Sequence, residues 1–148
     1  WLYWKAVLAW CAHGDAEAAL SGFEAVVRLG AYRSEVFQAL LWQGLIRLTE
    51  RPRDARSLAL ARTALAAAWE LPGDSELKGA VLYYQALALR LSGDEKGLAD
   101  HLRFVRNARL AHPYAVVWDG ARKKNVELLP LLRALEGGPD GSPAAGRP

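Results

Sequence analysis

The stretch Gly14-Asp15-Ala16-Glu17-Ala18-Ala19-Leu20-Ser21-Gly22-Phe23-Glu24-Ala25-Val26-Val27-Arg28-Leu29-Gly30 decides how the chain is read. Asp15 precedes a helical pattern, and its carboxylate can accept hydrogen bonds from the free N–H groups of a first helical turn. Ala19, Phe23 and Val26 follow at i, i+4 and i+7, which places them on one helix face. On such a face a small residue lets a paired helix approach closely, and a large residue fills the gap.

The same spacing returns twice further along. Ala61, Leu65 and Ala68 reproduce it before Leu71 and Pro72, and Leu98, Leu102 and Val105 reproduce it after Gly93 and Asp94. Ala and Leu dominate, Val and Ile are sparse, and strict alternation is almost missing, so strands have little support. The chain is expected to be all-α. Breaks fall at residues 12–15, 30–34, 50–54, 71–75, 92–94 and 112–113, which leaves helices of about 11 to 18 residues. Asp15, Ser34, Asp54, Ser75 and Asp94 stand at the N-cap positions.

Pro113, tolerated at a first helical position, is expected to open a further helix with Tyr114, Val117, Trp118 and Ala121 on one face. A break is expected near Lys124 or Asn125, because Pro130 removes a backbone donor and would kink an uninterrupted helix. From Gly137 to Pro148 nothing large is available to offset the entropy of ordering, so this segment reads as a disordered tail or linker.

The turn and second helix formed by Gly14 to Leu20 with Phe23, Val26 and Leu29 resemble those of the tetratricopeptide repeat, with Ala19 and Phe23 at its small and aromatic positions. The likeness covers roughly residues 1–111 and has departures. Ala19 to Ala61 spans 42 residues and Ala61 to Leu98 spans 37, against about 34 in the family, and Tyr3, Trp10 and Ala86 meet the first-helix positions only loosely. The resemblance implies an alpha-solenoid of about three helix pairs with a C-terminal capping helix over residues 1–136. It also implies that the first helices line a groove receiving peptides, at positions matched here by Trp4, Leu8, Tyr83, Leu87 and Arg90. An alternative for Trp4 and Leu8 is contact with a preceding repeat, because a chain without methionine reads as an excerpt.

At 148 residues the chain fits one domain that can bury close to 70% of its unfolded surface. A single cysteine, Cys11, forms no internal disulfide; within a Trp-rich helix it reads as a core residue, and a cytoplasmic location is the default. The longest uncharged runs, Val36 to Ile46 and Gly79 to Leu89, are 11 residues each, well short of the roughly 18 to 20 that span a bilayer. Neither a phosphate-binding Gly-rich loop nor a zinc or esterase motif is present, and no cofactor is implied. Cys11 and His13 are too few to fill a tetrahedral metal site. His101 and His112 read as structural, and Glu17, Glu24, Asp94, Glu95 and Asp100 read as polar-face or first-turn residues. Trp10, Phe23, Trp42 and Trp69 are expected in the core, and of the adjacent Tyr83 and Tyr84 one should be partly exposed.

The net charge of +3 lies in the C-terminal half, where Arg103, Arg106, Arg109, Arg122, Lys123 and Lys124 face a single acid, Asp119, over that span. The first three share a broad helix side at i, i+3 and i+6. The leading reading is a non-catalytic scaffold for a protein or peptide segment, or for another domain of the same chain, such as a regulatory output domain. The alternative is nucleic-acid binding by the basic segment; against it, no exposed aromatic is expected between these cations.

Overall fold

In a computed structural model, residues 1–72, 77–110, 114–119 and 121–137 are described. In chain order the elements are α1 (Leu2–His13), α2 (Ala16–Leu29), α3 (Arg33–Glu50), α4 (Ala55–Glu70), α5 (Lys78–Leu91), α6 (Glu95–Asn107), β1 (Val116–Asp119), β2 (Lys124–Glu127) and α7 (Leu128–Glu136). The chain divides into two compact units, Trp1–Leu71 and Pro72–Pro148.

The first unit is built from α1 to α4, with α1 packed on α2, α2 on α3 and α3 on α4. Ala19, Phe23 and Val26 are buried together with Tyr3, Ala6, Ala39 and Ile46. Close approach of helices is made possible by glycines: a Cβ on Gly22 would strike that of Ala6, and one on Gly44 would strike Leu65. At the turn between α1 and α2, Gly14 takes the left-handed conformation (φ 62°), and the N–H groups of Gly14 and Asp15 return to the carbonyls of Trp10 and Ala9. Asp15 then caps α2 by accepting from the N–H of Ala18 at 2.9 Å, and Asp54 caps α4 by accepting from the N–H of Ser57 at 2.8 Å. Ser34 is not a cap. The helix starts at Arg33 after an extended Tyr32, no side chain caps it, and Ser34 lies exposed in the first turn, where Glu35 supplies the negative charge the helix terminus favours.

In the second unit α5 packs on α6 and α7, α6 packs on α7, and β1 lies against α5. Leu98, Leu102 and Val105 of α6 are buried with Val81, Leu82 and Ala86 of α5 and Leu128 and Leu132 of α7. The turn from α5 to α6 repeats that of the first pair: Gly93 is left-handed (φ 71°), and Asp94 accepts from the N–H of Gly97 at 2.8 Å. All six positions of the repeated small-large pattern, Ala19, Phe23, Ala61, Leu65, Leu98 and Leu102, are buried.

The capping helix expected from Pro113 does not form across its described residues. Val116–Asp119 and Lys124–Glu127 instead make an antiparallel hairpin, pairing Val116 with Glu127, Val117 with Val126, Trp118 with Asn125 and Asp119 with Lys124. Two local causes are visible. The Asp119 carboxylate accepts from the N–H groups of Ala121 and Arg122 at 2.9 and 3.1 Å, which builds a turn in place of a helical turn. The missing side chain of Gly79 also leaves room for the Val116 carbonyl to approach α5, where a Cβ would collide with it. The terminal helix is α7, and its Pro130 is the third helical residue, where no N–H is needed for an intrahelical bond. Ser75, His112, Pro113 and the segment 138–148, for which a cap, a structural histidine, a helix start and a disordered tail were expected, lie outside the described residues.

Candidate functional site

The outer face of α1 is the most apolar exposed helix surface of the first unit. Trp1 at the N-cap and Trp4 and Leu8 in the helix are 92%, 62% and 59% exposed, spaced i, i+3 and i+7 along one side. Tyr3 and Ala6 point inward. The Tyr3 ring packs against Phe23 (5.9 Å between centroids), which stacks with Trp42 at 6.1 Å and a 4° interplanar angle. The Trp42 indole N–H donates to the Tyr3 hydroxyl at 3.2 Å, and that hydroxyl donates to Gln38 at 2.5 Å. Burial pushes the Tyr3 phenol above its usual pKa. This inner aromatic layer fixes α1 so that Trp4 and Leu8 are presented outward. Cys11, expected in the core, is instead exposed, three residues beyond Leu8 on the same side.

On α5 the matching positions Tyr83, Leu87 and Arg90 are all half-buried. Tyr83 and Tyr84 meet edge to face at 5.4 Å and 66°, and both are half-buried, so neither is wholly enclosed in the core. Burial raises the Tyr84 pKa.

The basic segment is not one helix side. Arg103 and Arg106 are exposed on α6, but the helix ends at Asn107, and Arg109 follows in a turn with a left-handed φ of 47°. Arg122 and Lys123 belong to the hairpin turn, Lys123 at φ 51°, and Lys124 opens β2. Arg103 lies 3.5 Å from Asp100 as an exposed pair, and Arg122, itself exposed, lies 3.5 Å from the half-buried Asp119. The expectation that no aromatic is exposed among these cations is overturned: Phe104 and Trp118 are both exposed.

Sequence reading missed one feature. A cleft of about 760 Å³ opens on the first unit, lined by Glu17, Leu20, Glu24, Arg47, Glu50 and Arg56 among others, with Arg47 donating to Glu24 at 3.1 Å across it. Its lining comes from three helices, and no single stretch of sequence marks it. His101, read as structural, is half-buried on α6, and its Nε2 lies 2.9 Å from the Leu82 carbonyl oxygen. A carbonyl only accepts, so this nitrogen carries a proton. Burial holds the His101 pKa below its usual 6.5, outweighing the opposing effect of that hydrogen bond. Among the described residues no group of three His, Cys, Asp or Glu side chains is placed to hold a metal ion, and no helix is long and apolar enough to cross a membrane.

Neither a family model, nor a curated protein, nor a solved structure matches the chain.

Proposed function

We propose that the chain is a non-catalytic, tetratricopeptide-like helical scaffold that binds a protein or peptide segment through the outer faces of its first helices. The observation that carries this reading is the exposed Trp1-Trp4-Leu8 side of α1, a helix with only Lys5 and His13 as basic residues and no acidic one. Large apolar side chains scattered singly over a surface are ordinary, but a run of them on one helix face marks an interaction surface. Burying one such side chain contributes about 1.5–3 kcal/mol, so Trp4 and Leu8 would dominate the affinity. Tyr83, Leu87 and Arg90 offer a smaller, more polar counterpart on α5. The left-handed Gly-Asp turns at 14–15 and 93–94, and the buried small-large pairs that follow them, support a repeat architecture.

Selection of a phage-displayed peptide library on the immobilised chain tests this reading. Peptides enriched on the parent should bind the Trp4→Ala/Leu8→Ala double variant at least about tenfold more weakly, as expected when two anchors of this size are truncated. They should lose little affinity as salt rises. Equal binding by parent and variant would remove α1 as the site.

A further inference from the structure

We propose that the β1–β2 hairpin is a contact site for single-stranded nucleic acid. In it Trp118 would stack on a base, Asn125 would meet that base's edge, and the turn cations Arg122 and Lys123 would face phosphates. This goes beyond the scaffold reading, since it uses neither α1 nor the first-helix residues of α5.

The hairpin geometry carries the proposal. The N–H of Leu128 donates to the carbonyl of Ala115 at 2.8 Å, and Val117 and Val126 pair two positions along. Alternation along the ladder therefore makes Trp118 and Asn125 a non-hydrogen-bonded pair, the closer kind, with Cα atoms about 4.5 Å apart and both side chains on one face. The Trp118 indole is 59% exposed although its strand is held against α5 by the approach of Val116 to Gly79. An anchored ribbon thus holds a large, flat π surface in water beside an amide that both donates and accepts.

Two consecutive cations, Arg122 and Lys123, sit in the turn of the same hairpin, while Lys124, paired with Asp119, takes the face opposite Trp118. Two carboxylates oppose them. Asp119 is occupied by its own turn, accepting from two backbone N–H groups, and its contact with Arg122 is long, at 3.5 Å, and made to an exposed guanidinium. Glu127 shares the Trp118 face but lies at the far end of β2, which limits the footprint on that side to a nucleotide or two. A base presents a π face and a hydrogen-bonding edge next to a phosphate. The hairpin offers an indole, an amide and cations in the same order, whereas a duplex keeps its base faces stacked away from any platform.

The test is fluorescence anisotropy of the full chain with a labelled oligothymidylate of about 12 nucleotides at about 50 mM salt, where phosphate contacts are least screened. Binding is expected in the micromolar range. Trp118→Ala should weaken it by about tenfold, within the span measured for base–aromatic stacking, while Trp118→Phe keeps most of it. Arg122→Ala/Lys123→Ala should weaken it too and flatten the salt dependence by about one to one and a half units of slope, as expected for the loss of two phosphate contacts on a single strand. Arg106→Ala, on α6, should change little. Far-UV circular dichroism confirms the fold of each variant. No binding by the parent at about 100 µM, a concentration above the nonspecific dissociation constants expected at low salt, would overturn the proposal. So would equal binding by Trp118→Ala, a loss with Arg106→Ala as large as with Trp118→Ala, or tighter binding to the corresponding duplex.

Discussion

Phe23 lies between the rings of Tyr3 and Trp42 with no exposed surface, so its removal would leave a void lined by side chains that are themselves fixed by hydrogen bonds. Phe23→Ala should therefore cost about 3–5 kcal/mol, the upper range of large-to-small core changes, because the aromatic layer cannot collapse into the gap. Urea unfolding of parent and variant checks this, and a difference under about 1 kcal/mol would show the layer to be loosely packed. His101 gives the chain a pH dependence with a definite sign. Its folded pKa is lowered, so below the usual 6.5 the unfolded chain takes up a proton that the folded chain resists. Its contribution to stability is complete above about pH 6.5 and falls as pH drops through that value toward the lower folded pKa. Melting temperatures at pH 7.5 and 5 should thus fall more for the parent than for His101→Gln, which keeps a donor for the Leu82 carbonyl but does not titrate; equal falls would deny His101 this role.

Helix placement shows which signals the sequence carried and where they gave out. Asp15, Asp54 and Asp94 were legible as caps because an acceptor stood directly before a periodic apolar pattern, and each accepts a backbone N–H as expected. Ser34 had the same chemistry two residues past the N-cap: extended Tyr32 starts α3 at Arg33. The contrast is measurable. Asp54→Ala should cost about 1 kcal/mol through the lost cap, whereas Ser34→Ala, an exposed change inside a helix, should stay within about 0.5 kcal/mol. The six small-large positions were legible for the same reason of periodicity. The hairpin was not, since Val116 and Val117 are too short a β-branched run to show alternation, and its causes, Gly79 against Val116 and Asp119 against its own turn, depend on tertiary approach and local side-chain bonding. The candidate sites divide likewise. Trp4 and Leu8 were reached through the tetratricopeptide resemblance, which matches them to its first-helix positions, but the mixed-charge cleft and the exposure of Trp118 arise only once separate segments are brought together.

At the scale of the whole molecule, each of the two units carries its own core, the first around Phe23, Ile46 and Leu65 and the second around Leu82, Leu102, Leu128 and Leu132. A domain can fold alone when its buried apolar area offsets its own ordering entropy, and at about 70 residues the balance is close, leaving about 3–5 kcal/mol at best. The first unit is favoured by its aromatic layer, by the close approaches at Gly22 and Gly44, and by two side-chain caps. A fragment of residues 1–71 should therefore be helical by circular dichroism and unfold cooperatively in urea, with a smaller slope than the full chain because less surface is exposed. Since Trp4 and Leu8 lie within it, a folded fragment should also retain the peptides selected on the full chain. A helical spectrum that melts without cooperativity would mean that this core does not hold alone. Cooperative unfolding without peptide binding would instead place the recognition surface outside α1, and so separates the fold of the unit from the function proposed for its outer face.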